Sequence, residues 1–551
     1  MIEDLSDHPD GTTFETDVAI VGAGAAGITL ARSLARAHVK VCLLESGGND
    51  YEQPVQDLAK GENVGFPYYE LQESRLRFFG GTTAIWGGRS AHLDPIDFER
   101  RSWVADSGWP IDRDALNDYY DKASMLLDLP ANGARQRQGA MASSHGLRLD
   151  PSLIDTSHWQ FDEQFERFSL GRCQDLKDSP DIRILLHATV TDVVVNEAAT
   201  AVEALSIGNL KGAKGRVRAK AFVLAAGGIE TPRILLASSE RQPAGIGNQH
   251  DLVGRYFIEH PRARGARVIT DKVWPLLKAM PRFHRREGQL EASVLRGADG
   301  LQAREGILNT AFSLAVRKPA DGRKNMSQRL YAGIKERMPP DHFGRLLWRS
   351  FRRGQILARE KISLARGWWR LKSSDYGLYV IIRGEQAPNP ESRIVLNAER
   401  DALGLPRADL DWRFSDIDKH SVRVLMSTFD RELNRLGLGR LELSDWLDDE
   451  GTTWQTDDLV GNHAIAGYHH IGTTRMATSP RKGVVDADCR VHGMGNLFIA
   501  GSSVFPTGGW ANPTLTILAL TLRLGDHLKQ AHAGGTMAAS EETTPREAMS
   551  A

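Results

Sequence analysis

The feature that most constrains this chain is a strand, turn and helix signature close to its beginning. Residues 16–30 read as a buried apolar strand, a tight glycine turn and a helix, with Gly22, Gly24 and Gly27 in the G-x-G-x-x-G spacing. Gly22 permits the turn, Gly24 lets a pyrophosphate approach the backbone, and Gly27 lets the helix lie close to the strand. The free N–H groups at the helix N-terminus favour a phosphate. The stretch therefore predicts a dinucleotide-binding unit.

A second apolar strand, residues 39–44, ends at Glu45, about 20 residues beyond the glycine turn. A carboxylate at this point can accept hydrogen bonds from both ribose hydroxyls of an adenosine. The order of strand, turn, helix, strand and acid makes the prediction of dinucleotide binding much more specific than the glycine motif alone would make it. It leaves open whether the dinucleotide is FAD or NAD.

Units of the same kind return later in the chain. Residues 221–228 read as a buried strand that ends in a glycine pair, and a helix opens after it with Pro232 near its start. Residues 496–503 form another strand that runs into small residues, and an apolar helix is predicted over 513–530. The pattern indicates that segments distant in sequence come together in one sheet.

Residues 265–455 have a different character, since strand-like pieces such as 377–382 and 393–396 alternate there with charged helical segments. We therefore expect an α/β fold (α+β overall), in which a Rossmann-like domain carries an inserted sheet-plus-helix substrate domain. The expected bounds are 12–265 and 456–532 for the two parts of the Rossmann-like domain, 266–455 for the inserted domain and 533–551 for a disordered tail.

Charge and cysteine content exclude some classes of protein. The chain has 69 Lys and Arg against 70 Asp and Glu, which gives no argument for nucleic acid as a partner. Three cysteines cannot form a disulfide framework. The first residues lack the basic and apolar regions of a signal peptide, and no run reaches the ~18 apolar residues that span a membrane. We expect a cytoplasmic protein, and co-export with a partner stays open.

Within the expected insertion, residues 329–372 are basic and aromatic, and include Arg345, Arg349, Trp368 and Trp369. A cationic helix with tryptophans can dock on a membrane surface or on a partner subunit. The alternative is a solvated helical excursion whose aromatic residues pack on their own domain. Both interpretations remain open at the level of sequence.

Two segments near the C-terminus carry polar residues suited to chemistry. His469 and His470 precede a glycine turn, and Asn512 stands at the start of the last predicted helix. A lone histidine is most often structural, and the residues alone do not decide its role. We expect no metal here, because adjacent histidines on an extended chain face opposite ways and no cluster of ligand spacing accompanies them.

Four blocks in a fixed order resemble the glucose–methanol–choline (GMC) oxidoreductases, which are FAD-dependent alcohol oxidases and dehydrogenases. The resemblance extends to the pyranose-oxidase-like branch, which acts on sugars and glycosides. The blocks are the glycine turn with Glu45; residues 79–86, Phe-Gly-Gly-Thr-Thr-Ala-Ile-Trp; residues 225–232 followed by 251–255 and 260–261; and the C-terminal segments with His469, Gly501 and Asn512.

The resemblance implies a role for each matching residue. His469 would be the catalytic histidine, and Asn512 its partner. Glu385 and Gln386, which follow the strand at 377–382, would support this arrangement and contact the substrate. The residues implied to contact FAD are Gly22, Gly24, Ala25, Gly27, Glu45, Gly80, Gly81, Thr82, Trp86, Val190, Ala226, Gly227, Gly501, Ser502, Asn512, Pro513 and Thr514.

The implied reaction is the oxidation of a CH–OH group to a carbonyl. A neutral histidine accepts the hydroxyl proton, the amide of Asn512 orients the hydroxyl, and flavin N5 accepts the hydride. In the resembling branch a histidine bonded covalently to the flavin stands immediately before the tryptophan of the second block. Here that position is Ile85, so we expect non-covalent FAD.

The expected substrate is a secondary hydroxyl of a sugar or glycoside, and the alternative is a sterol, polycyclic natural product or aliphatic alcohol. The electron acceptor would be dioxygen, a quinone or a redox partner protein. Two competing interpretations are an NAD-dependent dehydrogenase, which leaves the C-terminal blocks unexplained, and a binding subunit that docks through residues 329–372.

Overall fold

The computed structural model describes residues 1–130, 147–281, 283–322, 339–373, 375–461 and 463–535. Its strands are β1 (Ile2–Asp4), β2 (Thr12–Val21), β3 (Val41–Leu44), β4 (Arg89–Ser90), β5 (Ile154–Phe161), β6 (Ile182–Leu186), β7 (Thr189–Val195), β8 (Val202–Gly208), β9 (Lys214–Leu224), β10 (Arg262–Ile269), β11 (His284–Arg286), β12 (Gln289–Gly297), β13 (Ala311–Arg317), β14 (Gly377–Arg383), β15 (Arg393–Arg400), β16 (Pro406–Asp411), β17 (Arg440–Leu443) and β18 (Leu497–Ile499).

The α-helices vary from a single turn to 31 residues. They are α1 (Ala25–Ala35), α2 (Gln53–Gln56), α3 (Pro95–Phe98), α4 (Asn117–Leu126), α5 (Gln174–Asp178), α6 (Gly227–Ala237), α7 (Val273–Ala279), α8 (Asp299–Glu305), α9 (His342–Lys372), α10 (Asp416–Arg435) and α11 (Thr514–Ala533).

The first sheet contains the glycine-turn units. Its order is β1-β6-β3-β2-β9-β8-β7, with β18 paired to β9, and β2 lies parallel to both β3 and β9. Val18, Ala19 and Ile20 of β2 are fully buried, as expected for a continuous apolar run in a parallel sheet covered on both faces. The late strand β18 thus returns beside the early strands, and the predicted α/β class with a parallel sheet is confirmed.

The second sheet is antiparallel, with the order β17-β10-β14-β13-β12-β5-β4 and with β11 paired to β12. Helix α10 covers part of it, because Val380 and Ile382 of β14 share a buried core with Met426 and Phe429 of α10. Two further strands, β15 and β16, form a separate hairpin. The sheet-plus-helix character expected of the inserted part is therefore present.

The sheets do not follow the expected domain bounds. Strands β4 and β5 belong to the second sheet although they lie within 12–265, because they pair with each other and β5 pairs with β12. The division at 266–455 and 456–532 is kept as a proposal, with residues 89–90 and 154–161 assigned to the substrate part. Of the predicted tail, residues 536–551 lie outside the described residues.

Helix α9 occupies most of the basic segment 329–372, of which residues 329–338 lie outside the described residues. Several of its large apolar side chains are solvent-exposed, namely Phe343, Leu346, Leu347, Phe351, Leu357, Ile362, Trp368 and Trp369. In the part of the chain that the structure describes, no helix combines the length and apolar character needed to cross a membrane.

Candidate active site

A cavity of about 1240 Å³ is lined by residues of both larger sheets. The first sheet contributes the turns that follow β2, β9 and β18, and the second contributes the cavity-facing residues of β12, β13 and β14. In the parallel part of the first sheet these turns lie at the carboxyl ends of the strands, where open α/β sheets bind their ligands. Helix α9 closes one side through Leu347, Trp348 and Phe351.

One end of the cavity has the features of a dinucleotide site. Helix α1 begins there at Gly24, and no side chain caps its N-terminus. A Cβ built on Gly24 would meet no atom within 4 Å, so the glycine leaves open space in front of the helix. An uncapped helix N-terminus beside such space suits a phosphate group. Glu45, which is buried at the end of β3, also lines this end.

These observations agree with FAD as the resident group. Gly501 has φ +141° and Gly227 has φ +83°, and a Cβ on either would again meet nothing within 4 Å. The cavity-lining residues among those predicted to contact FAD are Gly22, Gly24, Ala25, Glu45, Gly80, Gly81, Thr82, Trp86, Val190, Ala226, Gly227, Gly501, Ser502, Asn512, Pro513 and Thr514.

Gly27 is the exception, because the structure does not support its expected contact with the pyrophosphate. It does not line the cavity, because it faces the strand: a Cβ at this position would lie 2.0 Å from the carbonyl oxygen of Gly22. Gly27 therefore serves the close packing of α1 on β2, and not ligand contact.

The structure brings His469 and Asn512 together. The Asn512 Nδ2 atom lies 3.0 Å from His469 Nε2, and both residues line the cavity. On the other side of the ring, His469 Nδ1 lies 2.7 Å from Nδ1 of His260. His260 Nε2 lies 2.8 Å from the carbonyl oxygen of Gly509, which can only accept, so the His260 proton is on Nε2.

This chain of contacts assigns the proton of His469. Because His260 donates from Nε2, its Nδ1 accepts, and His469 must donate to it from its own Nδ1. The Nε2 atom of His469 then carries a lone pair, which accepts from the Asn512 amide. Arg383 fixes that amide, since its Nη1 donates to Asn512 Oδ1 at 3.0 Å and the NH₂ group must face His469.

The surrounding protein favours the neutral form of both histidines. Desolvation lowers the pKa of His469 well below its usual value, and His260 and Arg383 lower it further. Desolvation and the Arg383 charge also lower the pKa of His260, to about 4. The lone pair on His469 Nε2 is therefore available at neutral pH, as a general base requires.

A buried carboxylate that the sequence analysis missed organises the backbone around the pair. Glu259 accepts hydrogen bonds from the backbone N–H groups of His469, Gly467 and His260, and from the Tyr68 hydroxyl. Burial raises the pKa of Glu259. The signal that could have found it is a lone acidic residue directly before His260 in an otherwise apolar run, residues 256–258.

Direct contact of Glu385 and Gln386 with substrate is a prediction that the structure does not support, since neither side chain lines the cavity. Both are buried: Glu385 forms an ion pair with Arg101, and Gln386 Oε1 accepts from Glu259 N and Trp412 Nε1. Gln386 therefore holds the backbone of Glu259, which in turn binds the backbone of His469. This fits the expectation that Gln386 supports the arrangement of His469 and Asn512.

His470 has a structural environment, as expected. Its Nε2 lies 3.1 Å from the Tyr68 hydroxyl, and burial lowers its pKa to about 3.

The expectation that no metal binds at 469–470 stays a prediction. Elsewhere, ligand atoms of His158, His284 and Glu291 lie within 4.8 Å of one another on the second sheet.

The comparisons with known proteins agree with this picture. Sequence models described as GMC oxidoreductase match residues 171–262 and 388–521, and one described as FAD binding domain matches residues 15–63. A C-glycoside 3-oxidase of Microbacterium trichothecenolyticum is 32% identical, over 90% of this chain and 80% of that protein. The fructose dehydrogenase large subunit of Gluconobacter japonicus is 23% identical, over 93% and 98% respectively.

A solved structure supports the fold. The crystal structure of a formate oxidase aligns with a TM-score of 0.54 at 17% identity, over 96% of this chain and 100% of that one. The fold, the glycines that leave open space along the cavity (Gly24, Gly227 and Gly501) and these matches define the class. It is an FAD-dependent enzyme that oxidises alcohols. The chain belongs to the GMC oxidoreductase family, in its sugar-oxidase-like branch. The competing prediction of an NAD-dependent dehydrogenase is set aside.

Proposed function

We propose that this enzyme oxidises a secondary hydroxyl of a sugar or glycoside to a ketone, with His469 as the general base. The observation that carries the proposal is the assigned lone pair of His469 Nε2, which faces the Asn512 amide at the cavity wall. The names of the two relatives support the substrate class, since one is a glycoside 3-oxidase and the other a fructose dehydrogenase.

In the proposed reaction, His469 Nε2 accepts the proton of the substrate hydroxyl. The Asn512 NH₂ group donates to the same oxygen, which sets the direction of the carbon–hydrogen bond. The Nδ1–H bond to His260 holds the ring, and the Glu259 contacts hold the backbone of His469.

FAD supplies the redox chemistry when it is bound, by accepting the hydride. We propose that Gly22, Gly24 and Ala25 hold its pyrophosphate and Glu45 its adenosine ribose. We assign Gly501, Pro513 and Thr514, which also line the cavity, to the flavin ring.

Non-covalent FAD is the first testable consequence, because Ile85 lines the cavity just before Trp86 and an isoleucine side chain cannot bond to a flavin. Acid precipitation of the purified holoenzyme should leave the yellow colour in the supernatant. Absorbance of the pellet and the supernatant at the flavin bands measures the partition, and a yellow pellet would contradict the prediction.

The pH profile is the second consequence. Since the pKa of His469 is depressed, the neutral base is fully present at and above pH 6.5 and is lost only as the pH falls through the lowered value. With an uncharged sugar as substrate, kcat/KM should stay level from pH 8 to 6.5 and fall only at lower pH. An acidic limb with its midpoint at or above pH 6.5 would show that His469 titrates normally.

The substrate class is tested with purified holoenzyme, a dye acceptor and a panel of sugars, glycosides, sterols and aliphatic alcohols. Turnover of a sugar or glycoside, with a ketone product identified by mass and NMR, supports the proposal. Turnover confined to sterols or aliphatic alcohols would replace it with the alternative. The acceptor (dioxygen, a quinone or a redox partner protein) and docking through α9 stay predictions.

A further inference from the structure

Helix α9 turns its apolar side chains to the solvent, the reverse of a helix that packs on a core. Its exposed large apolar residues form a stripe of Phe343, Leu346, Leu347, Phe351, Leu357, Ile362, Trp368 and Trp369. At about 100° per residue, all of them fall within an arc of about 160°, and the stripe is about 40 Å long. Trp369 at its end is 69% exposed. An exposed apolar stripe of this kind marks an interaction site.

The opposite face of α9 holds the helix on the protein by ion pairs as well as by packing. Arg345 donates to Asp50, and Arg349 donates to Glu166. Ile356 is buried between turns of the same face. Placed at about 100° per residue, these three helix residues lie opposite the centre of the stripe. The contacts fix which face points inward, so the apolar stripe faces away from the protein.

Basic side chains border the stripe. Arg353 and Arg366 are exposed and lie just beyond its two edges, and Lys372 is exposed at its C-terminal end. Residues 342–372 contain nine Lys and Arg against one acid, Glu360, which already pairs with an arginine of β11. A helix with Trp, Phe and Leu on one face and cations along its borders is typical of a helix that lies in the interface of an anionic bilayer.

Tryptophan and lysine occur together at this surface. On α9, Lys372 Nζ lies 5.3 Å from the ring centre of Trp368. Helix α7, which contacts α9 at Gly367, carries the exposed Trp274, with Lys278 Nζ 5.7 Å from its ring centre. Both residue types suit the headgroup region of a bilayer, because the indole ring is amphipathic and the lysine ammonium reaches the lipid phosphates.

Two other occupants of the stripe fit the charges less well. A second copy of this chain, in a symmetric dimer, would set the same patch against itself, so the bordering cations would meet like charges. A protein partner would place exposed lysines in an interface, and protein interfaces are poor in lysine. A stripe about 40 Å long on one straight element instead matches an extended flat surface.

We propose that α9 docks the enzyme on the surface of a bilayer that contains anionic lipids. The apolar stripe lies at the boundary between headgroups and acyl chains, and the bordering cations contact lipid phosphates. Leu347 and Phe351 belong both to the stripe and to the cavity lining. The docked enzyme therefore holds its cavity next to the bilayer.

The test sediments the full-length holoenzyme with vesicles of phosphatidylcholine alone, or of phosphatidylcholine and phosphatidylglycerol in equal parts. We expect at least tenfold stronger partition onto the anionic vesicles, weakened by added salt. Brominated acyl chains in the anionic vesicles should quench part of the tryptophan fluorescence, because Trp368 and Trp369 enter the acyl boundary. Quenching separates insertion of the stripe from adsorption by charge alone.

The double variant Leu357→Glu with Trp369→Glu tests the stripe, since neither residue lines the cavity. Its partition onto anionic vesicles should fall at least tenfold, because two apolar side chains no longer enter the bilayer. Val64→Glu with Met125→Glu replaces two exposed apolar residues elsewhere and should bind like the wild type. Flavin absorbance per protein checks the folding of both. Should the first variant fold poorly, quenching in the wild type still decides.

The bordering cations are tested by Arg353→Gln with Arg366→Gln, which should remove most of the preference for anionic vesicles. Arg241→Gln with Arg481→Gln loses the same charge at exposed positions elsewhere and should keep that preference.

Several outcomes overturn the inference. Wild-type enzyme that stays in the supernatant with both kinds of vesicle does so, and so does binding without quenching by brominated lipid. Equal losses in the stripe variant and its control would mean that another surface binds the vesicles. If the enzyme ignores vesicles but is a dimer that the stripe variant separates, a second copy covers the stripe. If a stoichiometric protein partner is lost instead, the stripe belongs to that protein.

Discussion

Replacing His469 by alanine should lower kcat about 10²- to 10⁴-fold, which is the contribution of a positioned general base. The imidazole Nε2 is the lone-pair acceptor that faces Asn512, and the neighbouring imidazole of His260 contacts the opposite ring nitrogen and does not line the cavity. Dye-linked turnover measures the loss. FAD content should stay near wild type, because His469 is not among the residues assigned to the cofactor.

The exposed His250 offers a matched control, and His250→Ala should turn over like the wild type. Flavin absorbance per protein separates a catalytic loss from a loss of cofactor. A His469→Ala enzyme with normal flavin content and less than a tenfold loss in kcat would remove the general-base assignment.

Replacing Glu385 by alanine should destabilise the protein by about 3–5 kcal/mol, the usual effect of removing one partner of a buried ion pair. Both side chains of the Arg101–Glu385 pair are 0% exposed, so the change leaves the Arg101 charge buried without its partner. The backbone N–H of Asn309 also loses its acceptor. Thermal and urea unfolding, followed by tryptophan fluorescence, measure the shift.

The double variant Arg101→Met with Glu385→Leu separates charge from packing. Replacing both charges by apolar groups is often close to neutral, so the double variant should be more stable than Glu385→Ala alone. KM for the sugar should change little in the folded enzyme. A stable Glu385→Ala protein with a strongly raised KM would restore the substrate role that the sequence suggested.

The parts of the fold closest to the dinucleotide could be predicted because their signals are local. The turn at Gly22 and Gly24, the strand that ends at Glu45 and the start of α11 are each set by a few neighbouring residues. The meeting of His469 and Asn512 was predictable only through the family resemblance. Nothing in the two short segments by itself states that they come within 3.0 Å.

The rest of the site depends on sheet register, which the sequence does not display. Arg383 faces Arg262 only because β14 pairs with β10 in one particular alignment. The position of Glu385 after a strand predicts a place in the active site, but its partner Arg101 lies 284 positions away in sequence. Glu259 was missed because the backbone N–H groups that it binds come together only in the fold, and the sequence marks it only as an acidic residue in an apolar run.

The position of β18 has a consequence for the order in which the molecule can be completed during synthesis. This strand spans residues 497–499 of 551, yet it pairs with β9, whose opposite edge holds β2 at the very start of the chain. Domains generally fold as units while the chain leaves the ribosome. Here the first sheet stays incomplete until residue 499 has been synthesised, and the proposed catalytic pair is complete only once Asn512 has followed.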